Sequence, residues 1–546
     1  MYTEPEKKKA RMDAICESVR ILTVDRERAT IADRYYPTRV KRFFLTNTSS
    51  ENGWAALLSD YMILRWQLYY DALLSRKRVE ELKVAFLAGP NPEHDVNIML
   101  ENGILPENIW AFENDSDIYN NAVENLRYFC PKIKLFKNSI GSFFKLTPIK
   151  FDIIYLDCCS PVYTKTAPNN INTLCQMFRA HSLNSPGVLL TNFSLPSKVK
   201  SPEAREVLAL LSSIYLYPKK TLNDAKIQYY PQENPCDFSV FYEMVCKDFD
   251  YWYGEYITRL IMDLSTVIVP FKNFYEKEYF HKFFRFDSEQ EKEMVAKLFI
   301  YDDSVHNHKS GPSAANCLEN DDGAWACQEM NEFSIPWTLG VLNNYSNLRN
   351  SVFEAGCHVD SKICDSACES FLKQLGEWKW LQRICAIYYA LFAVQDKRFF
   401  TPTINQILDV NFWHKVPHSC DIFSEQSVLG ALFGQLIVPY HTNIMQSKRW
   451  TYKAKETQMY MDMFVMDECR YIYDFVPTAD MILDTVNDIE QQLMYRFVLD
   501  ALDKNLFYYN QEWFNGNAMV GINHKGFEAK ILKNRININE SLLYTE

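Results

Sequence analysis

Between residues 83 and 161 four short apolar runs each end in a polar cluster: KVAFLAGPNPEHDVN, NIWAFENDSD, IKLFKNS and FDIIYLDCCSP. The runs have strand composition, and segments of helical periodicity separate them. This alternation predicts an α/β fold with parallel strands joined by helical crossovers. Ligands on such sheets bind at the carboxyl ends of the strands. There the chain places Gly89, Glu113, Asn138 and Asp157, an arrangement that suits a nucleoside-containing cofactor.

The pattern extends on both sides. Upstream, WAALLSDYMILRWQLYYDALLSRKR has apolar residues three and four apart, which predicts an amphipathic helix covering a face or edge of the sheet. Downstream, NINTLCQMFRAHS reads as a helix and SPGVLLTNFS as a buried strand. In SPEAREVLALLSSIYLY, Ser201 can cap a helix that has Pro202 at its first position. FSVFYEMV (238–245) reads as a last strand, giving five parallel strands and one or two more.

Beyond 248 the texture changes. WLQRICAIYYALFAV and MILDTVNDIEQQLMYRFVLDAL are strongly helical, and the polar stretch 302–326 is the best candidate for a long exposed loop. The expected organisation is a basic helical extension over 1–80, an α/β domain over 81–247, and a mainly helical region over 248–546. That last region would recognise substrate or a protein partner.

Composition narrows the function. A length of 546 residues implies two to four domains. A net charge of −11 excludes a nonspecific polyanion binder. Residues 1–42 nevertheless carry 11 Lys/Arg against 7 Asp/Glu, so any contact with DNA or RNA would be local. Fifteen cysteines, odd in number and irregularly spaced, read as reduced thiols of a cytoplasmic protein. The start MYTEPEKKKARMD has no apolar secretory core, and no run of 18 apolar residues predicts a membrane span.

The motifs at the strand ends resemble class I S-adenosylmethionine-dependent methyltransferases over about 81–247. The resemblance implies that Gly89 lets the backbone approach the methionine part of the cofactor, with Asn91 capping the helix that follows. LAGPNPEHD has one glycine where the family usually has two or three. The resemblance further implies that Glu113 binds the ribose hydroxyls, that Asp115 opens the next helix, and that Asn138 reads the adenine. A carboxylate suits a vicinal diol because charge-assisted hydrogen bonds are the stronger kind.

The fourth motif, DCCSP, resembles those of nucleic-acid base methylases. Asp157 would accept from and orient a target amine, with Ser160 assisting and Cys159 at the reacting end. Carbon methylation of cytosine needs an accessible thiolate and, in the RNA enzymes, a second cysteine where this chain has TNFS (191–194). Amine methylation therefore ranks first. Cys158 and Cys159 also suit plain packing near a sheet end.

Other clusters are weaker. Cys357, His358, Cys364 and Cys368 fall close together but lack the paired knuckle spacing of structural zinc, so no metal is expected. SKRWTYKAK (447–455) interleaves basic and aromatic residues as single-strand binders do, and equally reads as a solvated basic face. The expectation is a methyltransferase acting on a nucleic-acid base. The alternative is a methyltransferase-like fold that no longer transfers methyl groups and serves as a binding or assembly module.

Overall fold

A computed structural model describes residues 5–46, 57–164, 170–198, 201–226, 238–275, 278–285, 361–375, 397–408, 437–475, 525–527 and 532–539, plus a few isolated positions. The periodic segment 380–394, most of 481–502, the stretch 302–326, and Cys357 and His358 lie outside them.

The chain is an α/β protein with a mixed central sheet of nine strands. In chain order the first five are β1 (Val84–Leu87), β2 (Ile109–Glu113), β3 (Lys134–Lys137), β4 (Phe151–Asp157) and β5 (Leu183–Ser194). They lie parallel in the order β3-β2-β1-β4-β5. The remaining strands are β6 (His441–Thr442), β7 (Lys448–Ala454), β8 (Thr457–Asp467) and β9 (Ile536–Asn537). β8 runs antiparallel to β5, β7 antiparallel to β8, and β9 pairs with β7. β6 pairs with β8.

The central strands read as nearly continuous apolar runs because helices cover both faces. Along β4, Ile153 and Tyr155 face one core while Ile154 and Leu156 face the other. The first core is roofed by helices α1 (Pro5–Leu22) and α4 (Glu93–Glu101). Ala10, Ala14 and Ser18 recur every four residues on the buried side of α1, and such small residues let it lie close to the sheet. The opposite core takes Trp66 and Tyr70 of α3 (Asp60–Leu73). There the Trp66 indole donates to the Tyr471 carbonyl at 2.8 Å. The N-terminal segment thus contributes to both faces of the sheet.

Two expectations change. Residues 238–245 form not a strand but the start of a helix, α9 (Phe238–Lys247). Its buried residues are Phe241, Tyr242 and Val245, followed by Phe249, while Glu243 and Met244 are exposed. That spacing is helical, and the local run of apolar residues hid it. The strands that complete the sheet come from 441–467 instead. SKRWTYKAK is therefore mostly sheet, with Arg449, Trp450 and Tyr452 buried rather than laid out as a basic surface.

A buried charge network ties these late strands to α10 (Phe249–Asp263). Arg449 pairs with Glu255 at 2.7 Å and donates to the Lys533 carbonyl at 2.8 Å. Arg535 pairs with Asp462, which also accepts from Thr258 at 2.7 Å. The sheet is thus built from segments on both sides of residue 247. Among the described residues no helix is long and apolar enough to cross a membrane.

Candidate functional site at the carboxyl ends of the strands

In the order β3-β2-β1-β4 the crossovers leave β1 and β4 in opposite directions, so the topological switch lies between them. Asn138, Glu113, Gly89 and Asp157 follow the ends of these four adjacent strands in that sequence. At about 4.8 Å per strand they are strung over roughly 14 Å rather than gathered at one point.

Gly89 has φ +60°, a conformation that disfavours any side chain, and a Cβ placed there would meet nothing within 4 Å. The backbone at the end of β1 is therefore open to a close-approaching ligand. Asn91 does not cap. Helix α4 starts at Glu93 with Pro92 at the cap position, and the Asn91 amide oxygen lies 3.5 Å from the Asn125 amide nitrogen.

Glu113 uses Oε1 to accept from the backbone of Asn114 and Asp115, at 2.7 and 2.8 Å. Its remaining oxygen can serve a ligand. Asp115 caps α5 (Ser116–Phe129) by accepting from the amides of Asp117 and Ile118. At Asn138 the side-chain oxygen accepts from Ser139 N at 2.8 Å.

Asp157 is the most constrained of the set. Its Oδ1 accepts from Asn192 Nδ2 at 2.8 Å and from Cys159 Sγ at 3.1 Å. Its Oδ2 faces Lys7 Nζ at 3.3 Å and an Arg11 guanidinium nitrogen at 3.7 Å. Burial works against its charge, but Lys7 and Arg11 hold the carboxyl below its usual range. Arg11 also lies 2.5 Å from Asp95, in the first turn of α4. Burial pushes Asp95 up to about 6, against the pull of Arg11.

Lys7, Arg11, Asp95 and Asn192 were not legible as site residues. Lys7 and Arg11 belong to a basic N-terminal run that reads as a surface segment until α1 is laid across the sheet. Asn192 is found through its register partner: it lies directly opposite Asp157 on β5. Its Nδ2 also donates to the Tyr452 hydroxyl at 2.7 Å. Its Oδ1 is buried without a hydrogen-bond partner among the described residues, an acceptor left for a ligand or a water.

The loop after β4 divides the remaining roles. Cys159 sits at φ +49°. Crowding around its sulfur and the charge of Asp157 push the thiol up to about 12, so at neutral pH it is a weak donor and not a nucleophile. Cys158 packs against the core, and burial pushes its thiol well up. The Ser160 hydroxyl accepts from Asn170 Nδ2 at 3.0 Å, and its carbonyl accepts from Ser194 N at 3.0 Å. Ser160 therefore ties the loop to Asn170 and to the end of β5.

Beside this loop lies a cavity of about 700 Å³, within the range of small-molecule sites. Its walls come from α1 (Lys7), the loop after β4 (Cys159), the end of β5 (Ser194), the start of α8 (Pro202–Lys226) and the β7–β8 turn (Lys455). Gly89, Glu113 and Asn138 are not among its lining residues. The strand-end crevice and the cavity are two adjoining regions, with Asp157 and Cys159 at their junction. No family model matches the chain, and no curated protein aligns with it significantly.

Proposed function

We propose that this protein is an S-adenosylmethionine-dependent methyltransferase that modifies an exocyclic amine of a nucleobase. The observation that carries the reading is the strand end at Gly89: a left-handed glycine with open space beside it, next to Asp157 at the topological switch. The order β3-β2-β1-β4-β5 closed by an antiparallel β8 supports a Rossmann-like methyltransferase fold.

The residues fit the cofactor. Gly89 leaves room for close approach, Glu113 keeps one carboxylate oxygen for a diol, and Asn138 offers amide donors to a ring nitrogen. When bound, the cofactor supplies a methyl group already activated on sulfonium, so the protein mainly has to align the acceptor. Asp157 would do this. Its weakest donor is the Cys159 thiol, and an amine entering from the cavity would displace that thiol from Oδ1. Asn192 and the Lys7–Arg11 pair keep the carboxylate ionised and fixed in direction.

Titration calorimetry with S-adenosylmethionine and the purified protein, with Glu113→Ala as control, tests the reading. Tight binding lost in the variant supports it; absence of binding to the native chain overturns it. One observation favours the second reading, a binding or assembly module that transfers nothing: both oxygens of Asp157 are already engaged within the chain. Binding of cofactor without methyl transfer to any nucleobase acceptor would select that reading.

A further inference from the structure

We infer that the cavity beside Cys159 is a site for a free mononucleotide, a flat ring bearing a single phosphate, and not for a polynucleotide. The inference deepens the methyltransferase reading, because only that reading makes the bound nucleotide a methyl acceptor; the binding itself stands on the cavity.

Three features point to this ligand. Much of the lining is apolar, and Pro161, Val207, Leu208 and Met459 supply surface against which a base ring can pack. The rim is cationic. Lys7 and Lys455 enter from different elements, against Glu203 as the one carboxylate among the lining residues. Burial opposes the charge of Lys7, but Asp157 and Cys159 together hold its ammonium above the usual lysine range. Ser197 and Ser201, in the segment that precedes the 25-residue helix α8, also line the cavity. Lysine, hydroxyl and first-turn amide groups together are the donors a phosphate takes.

The exclusion of a polymer rests on charge. A polynucleotide gains its affinity from a track of cations along the backbone. Of the 11 Lys/Arg in residues 1–42, six besides the cavity-lining Lys7, which itself faces Asp157, are ion-paired with acids of this chain: Lys9, Arg11, Arg20, Arg34, Arg39 and Lys41. Arg26 is buried and donates to the Ser75 carbonyl. On β7, Lys448 pairs with Glu17 and Arg449 with Glu255. Most of the N-terminal cations are thus engaged within the fold, which leaves no continuous track of them for a backbone.

The test is calorimetry on the full chain with the four nucleoside 5′-monophosphates, the matching nucleosides and a single-stranded 20-residue oligonucleotide. At least one monophosphate is expected to bind, with its nucleoside about tenfold weaker or more. Monophosphate affinity should fall only weakly with added salt, because a free nucleotide carries no condensed counterions to release. Lys455→Asn, chosen because residue 455 sits at φ +55° and Asn tolerates that conformation, should lower monophosphate affinity about tenfold and leave the melting temperature unchanged. A nucleoside that binds as well as its monophosphate overturns the proposal. So does an oligonucleotide that binds more tightly with a steep salt slope, or the absence of any nucleotide binding. Cofactor titration in parallel separates the failures. A chain that binds nucleotide but not S-adenosylmethionine keeps the site and loses the methyltransferase reading, and the reverse result loses only the site.

Discussion

Replacing Gly89 by alanine separates a binding role from a structural one, because titration and thermal unfolding read the two effects independently. The position has φ +60° and no heavy atom within 4 Å of where the Cβ would sit. The added methyl therefore clashes with nothing in the protein. The remaining cost is conformational, about 1–2 kcal/mol for an L-residue in the left-handed region. At about 2–4 °C per kcal/mol for domains of 150–250 residues, the melting temperature should fall by about 2–8 °C. Cofactor binding should suffer as well, since the methyl occupies the space through which the backbone meets a ligand. A loss of at least about tenfold, or 1.4 kcal/mol, is expected in titration calorimetry. Thermal unfolding of the same preparation supplies the stability arm. Affinity within twofold of the native chain would refute the argument that a ligand sits against this strand end. Collapse of the fold would refute the claim that the space is open.

Glu255→Ala should destabilise by about 3–5 kcal/mol, because it leaves the Arg449 guanidinium buried without its partner at 2.7 Å. Denaturant unfolding of this variant, of Arg449→Met and of the double variant measures it, and additive effects would contradict the pairing. Cys159 should react slowly with iodoacetamide at pH 8 despite its exposure, with a rate still climbing beyond pH 10. Peptide mass spectrometry follows that rate, and fast labelling near neutrality would show a thiolate. The Asp95 carboxyl, carried by burial from 3.8 to about 6, should stabilise the fold when protonated. Its contribution is fully present below about pH 4 and is lost as pH rises through about 6, an amount of order 3 kcal/mol. Asp95→Asn should therefore gain on the native chain between pH 4 and 7 in urea midpoints, and a pH-independent difference would contradict the assignment.

What could be read from the chain follows from which interactions are local. The four strands from 84 to 157 announce themselves because each is a short apolar run flanked by turn chemistry, and the residues at their ends follow automatically. Asp115 was legible as a helix opener for the same reason: a cap is a contact over two or three residues. The completion of the sheet was not. Asn192 and Tyr452, joined by a hydrogen bond, stand 260 residues apart, and no local periodicity reports that distance. Residues 238–245 failed in the opposite way, since a short apolar run fits strand and helix alike until the burial of 241, 242, 245 and 249 decides it.

The site shows the same division, and there it bears on function. Asp157 could be placed from its strand alone, but its chemistry is set by groups that arrive from α1, α4 and β5. A strand-end aspartate facing solvent would be a free acceptor. This one is held by an amide and a thiol on one oxygen and by two cations on the other. The cations keep it anionic, and they also compete with any incoming donor. An amine acceptor can win only at Oδ1, where the competitor is a thiol, a much weaker donor than an amine. Cys159 is thus the one contact of Asp157 that a ligand can replace at low cost, and it is also the contact that lines the cavity. Cys159→Ser sharpens the point. A hydroxyl donates to a carboxylate more strongly than a thiol, so the variant should weaken acceptor binding while leaving cofactor affinity unchanged. If the serine variant instead binds acceptor as the native chain does, the donor exchange at Oδ1 is not how this aspartate meets its substrate.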